Sequence, residues 1–228
     1  MNTLEEYLSF ARDHPAIFTN PPSAGTTIIL DAAEIRQIET TVGQRLEEQG
    51  FPREWAQVGI AYRDQYVLLL RDAVCLPDGS VDLSIRSVDN GKEVPGVFVL
   101  PVHQKSVLLI RHFRHETRSW HLEIPGGFGM PGMSSGDSAQ RELKEEIGAV
   151  ASRLIPLSRM YPNAEFDATY FELFYADVET YSEIEVQEGI TEILPVSIQE
   201  LEHMILSKQI TNMCVLVAYT RAKLRRLL

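Results

Sequence analysis

Apolar residues at Ile35, Ile38, Val42 and Leu46 recur every three or four positions, the spacing of one helical face. Asp31 is a plausible N-cap and Gly50 a stop, so a helix is predicted to run to about Gln49. Ahead of it, residues 3–14 read as a short helix ended by Pro15, and Asn20-Pro21-Pro22-Ser23 reads as a loop. After Pro52 the pattern changes to strands. Tyr66–Leu76 and Val81–Val88 flank Pro77-Asp78-Gly79-Ser80, a hairpin signal. Val94–Val102 and Ser106–Phe113 form a second antiparallel pair across His103-Gln104-Lys105. Trp120–Ile124 is a short strand running into Pro125-Gly126-Gly127, and a helix from about Asp137 to Ile147 is closed by Gly148. Strands near 153–160, 168–178 and 190–196 follow, then helices over 198–206 and 211–227.

This order predicts an α+β fold, a sandwich with a mixed sheet, rather than a doubly wound parallel one. Three parts are expected: a helical segment over 1–53 with no assignable chemistry, antiparallel strands over 54–93, and a main domain over 94–228.

Composition narrows the function classes. The chain has 228 residues, 44% hydrophobic and 23% charged, as in ordinary folded proteins. With 21 basic against 32 acidic residues the net charge is -11, which disfavours a polynucleotide partner. The basic run Arg221-Ala222-Lys223-Leu224-Arg225-Arg226 falls at the end of a predicted helix, where the dipole favours cations. Cys75 and Cys214 make no disulfide framework or metal spacing. The acidic start lacks the pattern of a secretion signal, and no apolar run is long enough for a membrane span. No membrane partner and a cytoplasmic location are therefore expected.

The chemistry concentrates in Arg141-Glu142-Leu143-Lys144-Glu145-Glu146-Ile147-Gly148. At about 100° per residue, Glu142 and Glu146 lie one turn apart on one face, with Glu145 to the side. Like charges so placed weaken a helix by a few tenths of a kcal/mol. A hard cation would explain them, since magnesium prefers carboxylate oxygens and substrate phosphates. Taken alone, the run reads equally well as a solvated acidic face.

The surrounding residues separate these readings. From Gly127 to Ala149 the chain resembles the Nudix box, G-x5-E-x7-R-E-U-x-E-E-x-G-U with U a bulky apolar residue. Gly127, Arg141, Glu142, Leu143, Glu145, Glu146 and Gly148 match, Ala149 fits the last apolar position weakly, and Met133 replaces the first glutamate. Leu108–Arg114 and Trp120–Gly127 are similar to the stretch before the box in ADP-ribose and nucleotide-sugar pyrophosphatases. The resemblance covers about residues 94–206 and implies a Nudix-type α/β/α sandwich.

It further implies a pyrophosphohydrolase that uses Mg2+, with Mn2+ as the other candidate cation, and that acts on a small nucleoside diphosphate derivative. Glu142, Glu146, Glu145 and the Gly126 carbonyl would hold metal, and Arg141 and Glu145 join the catalytic set. Arg114 would meet a substrate phosphate, and Glu123 a ribose or metal-bound water. Arg111 is a further candidate substrate contact; Trp120 either stacks on a base or serves an interior or dimer role. The general base is expected in the acidic loop 179–189, at Glu188, with Glu185 and Glu192 as competitors. Tyr161-Pro162-Asn163-Ala164-Glu165 falls where ADP-ribose enzymes often carry a substrate loop, without the usual Ser-Pro-Gly wording. His112 and His115 are too far out of phase on a strand for joint metal ligation. ADP-ribose is the leading substrate; GDP- or UDP-hexoses are the alternative, and Met133 leaves open a non-catalytic nucleotide-binding or regulatory module. The strands over 54–93 resemble those used for dimerisation in this subgroup, so a homodimer is expected.

Overall fold

A computed structural model describes residues 4–88, 94–182 and 189–228. The chain divides into two units: Met1–Gly91 with Asn163–Thr169, and Lys92–Pro162 with Tyr170–Leu228.

In the first unit, helices α1 (Leu4–Asp13), α2 (Pro15–Phe18) and α3 (Ala32–Glu48) share a core with strands β1 (Thr27–Ile29), β2 (Gly59–Arg63), β3 (Leu68–Cys75) and β4 (Val81–Val88). Asp31 caps α3 by accepting from the Ala33 and Glu34 amides. Its apolar stripe Ile35, Ile38 and Val42 is buried, as the period predicts. β3 pairs antiparallel with β4 on one side and with β1 and β2 on the other. Helices and strands on either side of residue 53 bury one another in this core. β1 and β2 are too short and too irregular in pattern to stand out in the sequence. Buried Asp72 accepts from the Tyr7 hydroxyl at 2.5 Å and from Nε of Arg86 at 2.5 Å.

The strand expected over 168–178 begins only at Phe171, because the preceding residues are committed to the first unit. The Ser87 amide donates to the Phe166 carbonyl at 2.7 Å, and the Ala168 amide to the Ser87 carbonyl at 3.1 Å.

The second unit is built on β5 (Gly96–His103), β6 (Ser106–Arg114), β7 (Ser119–Glu123), β8 (Gly126–Gly127), β9 (Ala151–Met160), β10 (Phe171–Val178) and β11 (Ile190–Ser197). The main path is β11-β6-β5-β10-β9, with β7 added to β6 and β8 to β5. β10 runs parallel to β5 and antiparallel to β9, so the sheet is mixed. Helix α4 (Ser135–Ile147) covers one face through Ala139, Leu143 and Ile147. Helices α5 (Ile198–Leu206) and α6 (Met213–Leu224) cover the other through Leu201, Val215 and Ala218. This is the α/β/α sandwich expected for the main domain. α6 starts later than the apolar pattern suggests because Asn212 accepts from the Val215 amide and fixes its first turn.

One irregularity positions the candidate site. β5 and β6 pair only at Val102↔Val107 and His103↔Ser106 before β5 takes β8 as partner and β6 takes β7. The link Glu123-Ile124-Pro125-Gly126 carries the chain across this divergence from β7 to β8.

Candidate active site

Helix α4 presents its carboxylates where β8 ends. Ser134 caps it by accepting from the Asp137 amide, and Gly148 closes it in the left-handed region at φ 60°. Leu143 and Ile147 anchor the apolar face in the core. That anchoring leaves Glu142 and Glu146 each only 6% exposed, far from the solvated face considered above. The Gly126 amide donates to Oε2 of Glu146 at 3.0 Å.

Close approach to backbone requires the first glycine of β8, and the second makes room for the tip of a side chain. A Cβ at Gly126 would lie 2.3 Å from the Val97 carbonyl oxygen, and one at Gly127 would lie 2.8 Å from Oε1 of Glu142. The Glu142 carboxylate thus occupies the space a side chain at Gly127 would fill.

Arg141 organises the acids around it. Its Nη2 pairs with Glu142 and donates to the Phe128 carbonyl at 2.8 Å, while Nη1 donates to Glu145 at 2.9 Å. Glu145 has a side chain 52% exposed and is joined to Glu142 through this guanidinium. Met133, in the place of the box's first glutamate, lies in the turn before α4, its amide donating to the Met130 carbonyl.

On the β6–β7 pair, Glu123 is 3% exposed and accepts from Arg114 through Nε at 3.0 Å and Nη2 at 2.6 Å. Its Oε1 accepts from Nδ2 of Asn212 at 3.0 Å, and Nδ1 of buried His112 lies 3.8 Å from Oε2. Burial disfavours the charge on Arg114, but Glu123, then Glu146 and Glu116, outweigh it and raise its pKa above the usual value. Arg114 therefore lies within electrostatic reach of both the β7 acid and the helix acid.

Strand alternation separates the other candidates from this group. Arg111 sits over the Trp120 ring at 4.9 Å, and Trp120 packs edge-on against Phe113 at 5.3 Å. Arg111 and Phe113 alternate with His112 and Arg114 along β6, so they project from opposite faces. Glu192 lies opposite Arg111 in the β11–β6 register, on the Arg111 side. His115 lies beyond β6, its Nδ1 2.9 Å from Nη1 of Arg118, apart from His112. Glu188 and Glu185 lie outside the described residues. Sequence reasoning missed Asn212, whose only local signal is that of a helix cap.

Among the described residues no three His, Cys, Asp or Glu side chains converge as a ligand set. The donors present still fit a hard cation. Two buried carboxylates and nearby backbone oxygens, completed by a phosphorylated ligand, suit magnesium, which commonly takes one or two carboxylates plus phosphate oxygens. Gly127 keeps the cradle open for Glu142. Glu142 and Glu146 would hold such an ion.

A family model described as the NUDIX domain matches residues 92–209, and the chain belongs to that family. Among curated proteins it is similar to an ADP-sugar pyrophosphatase of Mus musculus, 41% identical over 63 residues, 25% of this chain and 29% of that protein. The similarity thus spans less than a third of that relative. Among solved structures, an ADP compounds hydrolase matches with a TM-score of 0.64 at 19% identity, over 73% of this chain and 90% of the other, which shows the shared fold. No described helix is long and apolar enough to cross a membrane.

Proposed function

We propose that this protein is a pyrophosphohydrolase that uses a divalent cation, Mg2+ in the first instance, to split ADP-ribose-like nucleoside diphosphate derivatives into a nucleoside monophosphate and a sugar phosphate. The observation that carries the reading is the buried pair Glu142 and Glu146, one helical turn apart against the two glycines of β8. Buried carboxylates are costly unless paired or ligating. Arg141 pairs with Glu142, the Gly126 amide donates to Glu146, and Arg114 offers a guanidinium for a phosphate. The local similarity to an ADP-sugar pyrophosphatase supports the adenine nucleotide class over GDP- or UDP-hexoses.

In this reading Glu142 and Glu146 hold the cation, with the Gly126 carbonyl and Glu145 assisting, and Arg114 binds a phosphate of the substrate. A divalent ion held there neutralises the diphosphate and so lowers the barrier to attack by water. Glu188 takes the proton from the attacking water, whose oxygen bonds to one phosphorus as the bridging P–O bond breaks. The bridging oxygen leaves with the second phosphate. Glu185 competes for the role of base; Glu192, on the Arg111 side of the sheet, is the weaker competitor. The first unit is proposed to pair two copies into a homodimer, for which sedimentation at micromolar concentration is the direct check.

The test is a panel of ADP-ribose, ADP-hexose, GDP-hexose and UDP-hexose with Mg2+ and with Mn2+, reading released phosphomonoester. Faster turnover of the adenine compounds supports the proposal; equal rates across the panel sink the substrate assignment. Tight binding of ADP-ribose in calorimetry without any product would instead support the binding module that Met133 suggests.

A further inference from the structure

We propose that Asn212, at the start of the C-terminal helix, is a positioning residue for the phosphate-binding Arg114 and acts through Glu123; the proposal rests on the role assigned to Arg114 above. Asn212 lies beyond residues 92–209, outside the span matched to the family.

The geometry is specific. Oδ1 of Asn212 accepts from the Val215 amide at 3.2 Å, and Nδ2 donates to Oε1 of Glu123 at 3.0 Å. One amide therefore does two incompatible tasks at once, accepting at the helix end and donating to a carboxylate, and the two partners fix which end is which. Aspartate can cap but cannot donate when ionised, and serine can cap but is too short to reach both groups.

The consequence falls on Arg114. Glu123 engages its Nε and Nη2, while Nη1 has no partner among the described residues. The plane of the Glu123 carboxylate therefore sets the plane of the guanidinium, and with it the direction in which the remaining nitrogen can meet a phosphate. Asn212 holds the oxygen of that carboxylate farther from Nη2. With this tie removed, Oε1 keeps only the longer bond from Nε of Arg114, at 3.3 Å, and the Glu123–Arg114 pair loses the contact that anchors it to α6. α6 thus serves the site without supplying any group to the substrate.

The experiment compares the full chain with Asn212→Asp and Asn212→Ser in Mg2+. It reads KM and kcat for ADP-ribose from about pH 6 to about pH 9 and the Arg114 Nε–H resonance by NMR. Both variants retain the cap and melt close to the parent. Asn212→Ser should raise KM about tenfold at every pH, the low end for groups that orient a binding residue. Asn212→Asp should raise KM at least as much, because an ionised carboxylate caps the helix but cannot donate to Glu123 and repels it. The Arg114 resonance should shift or broaden in the serine variant. Unchanged KM and an unmoved resonance in both variants would overturn the proposal. So would a lowered melting temperature with kinetics intact, which would make Asn212 a helix cap only. A parent that turns over no compound in the panel, while the Arg114 resonance still responds to Asn212→Ser, would refute the proposed activity and leave the positioning role standing.

Discussion

Gly127 and Glu142 sit so close that a Cβ on the glycine would lie 2.8 Å from one carboxylate oxygen and 2.9 Å from the other. The first glycine of the box is thus explained by the acid fifteen positions later, not by its own backbone conformation. Gly127→Ala should push the Glu142 carboxylate away from its buried position while leaving the apolar face of α4 in place. The expected outcome is a loss of turnover of about 10–100-fold with a raised Mg2+ requirement, as for other changes that misplace a ligand. Metal titration of activity, beside an unchanged circular dichroism spectrum, checks it; wild-type metal dependence would count against the close approach.

Glu146→Gln keeps the shape of the side chain and an oxygen to accept from the Gly126 amide, but removes the charge. Turnover should fall by at least about 100-fold, because the second carboxylate for the cation is gone. The fold should persist, since removing a buried negative charge relieves a desolvation cost. Full activity in this variant would refute the metal assignment.

Arg114→Lys preserves the charge but not the fork. Lysine cannot engage Glu123 through two nitrogens while offering a third outward. KM for the substrate should rise about tenfold, equivalent to about 1.4 kcal/mol of lost binding, with a smaller change in kcat. Steady-state kinetics decides it, and a fall in kcat at unchanged KM would move Arg114 from binding to chemistry.

These sites differ in how far the sequence reveals them. The box was legible because Glu142 and Glu146 obey helical spacing and the glycine, arginine and glutamate intervals are rigid. Their burial was not, since a solvated acidic helix has the same letters; only Leu143 and Ile147 docking on the sheet decides it. Glu123 reads in sequence as a substrate contact, yet its oxygens are engaged by Arg114 and Asn212, a long-range arrangement that spacing cannot encode. Arg111 and Arg114 look like one basic patch until the strand's alternation sends them to opposite faces. The parallel pairing of β10 with β5 and the placement of 163–169 beside β4 depend on chain crossovers, which local pattern leaves undetermined.

In the first unit, Asp72 is 1% exposed and bonded to both Tyr7 and Arg86. Burial, then the charge of Asp72, pushes the Tyr7 phenol far above its usual range. Asp72→Ala would leave the Arg86 charge without its carboxylate and the Tyr7 hydroxyl without its acceptor. The expected cost is about 3–5 kcal/mol, the range for breaking one partner of a buried ion pair. Urea unfolding followed through the first unit's signals measures it, and a loss below about 1 kcal/mol would show that solvent reaches Arg86 freely.

The two cysteines should behave differently. Burial, reinforced by the negative charge of Glu123, pushes the Cys214 thiol up to about 12 from an ordinary value of 9.0. At about pH 8 its thiolate is then about one part in ten thousand, so the native protein should leave Cys214 unalkylated while half-buried Cys75 reacts. Because the folded state holds this proton more tightly, the associated stability is present in full below 9.0 and is lost as pH rises toward about 12. Mass spectrometry after brief alkylation, with and without denaturant, separates the two thiols. Rapid native labelling of Cys214 would mean that the N-terminal turn of α6 opens readily, and that Glu123 is less firmly held than its hydrogen bonds imply.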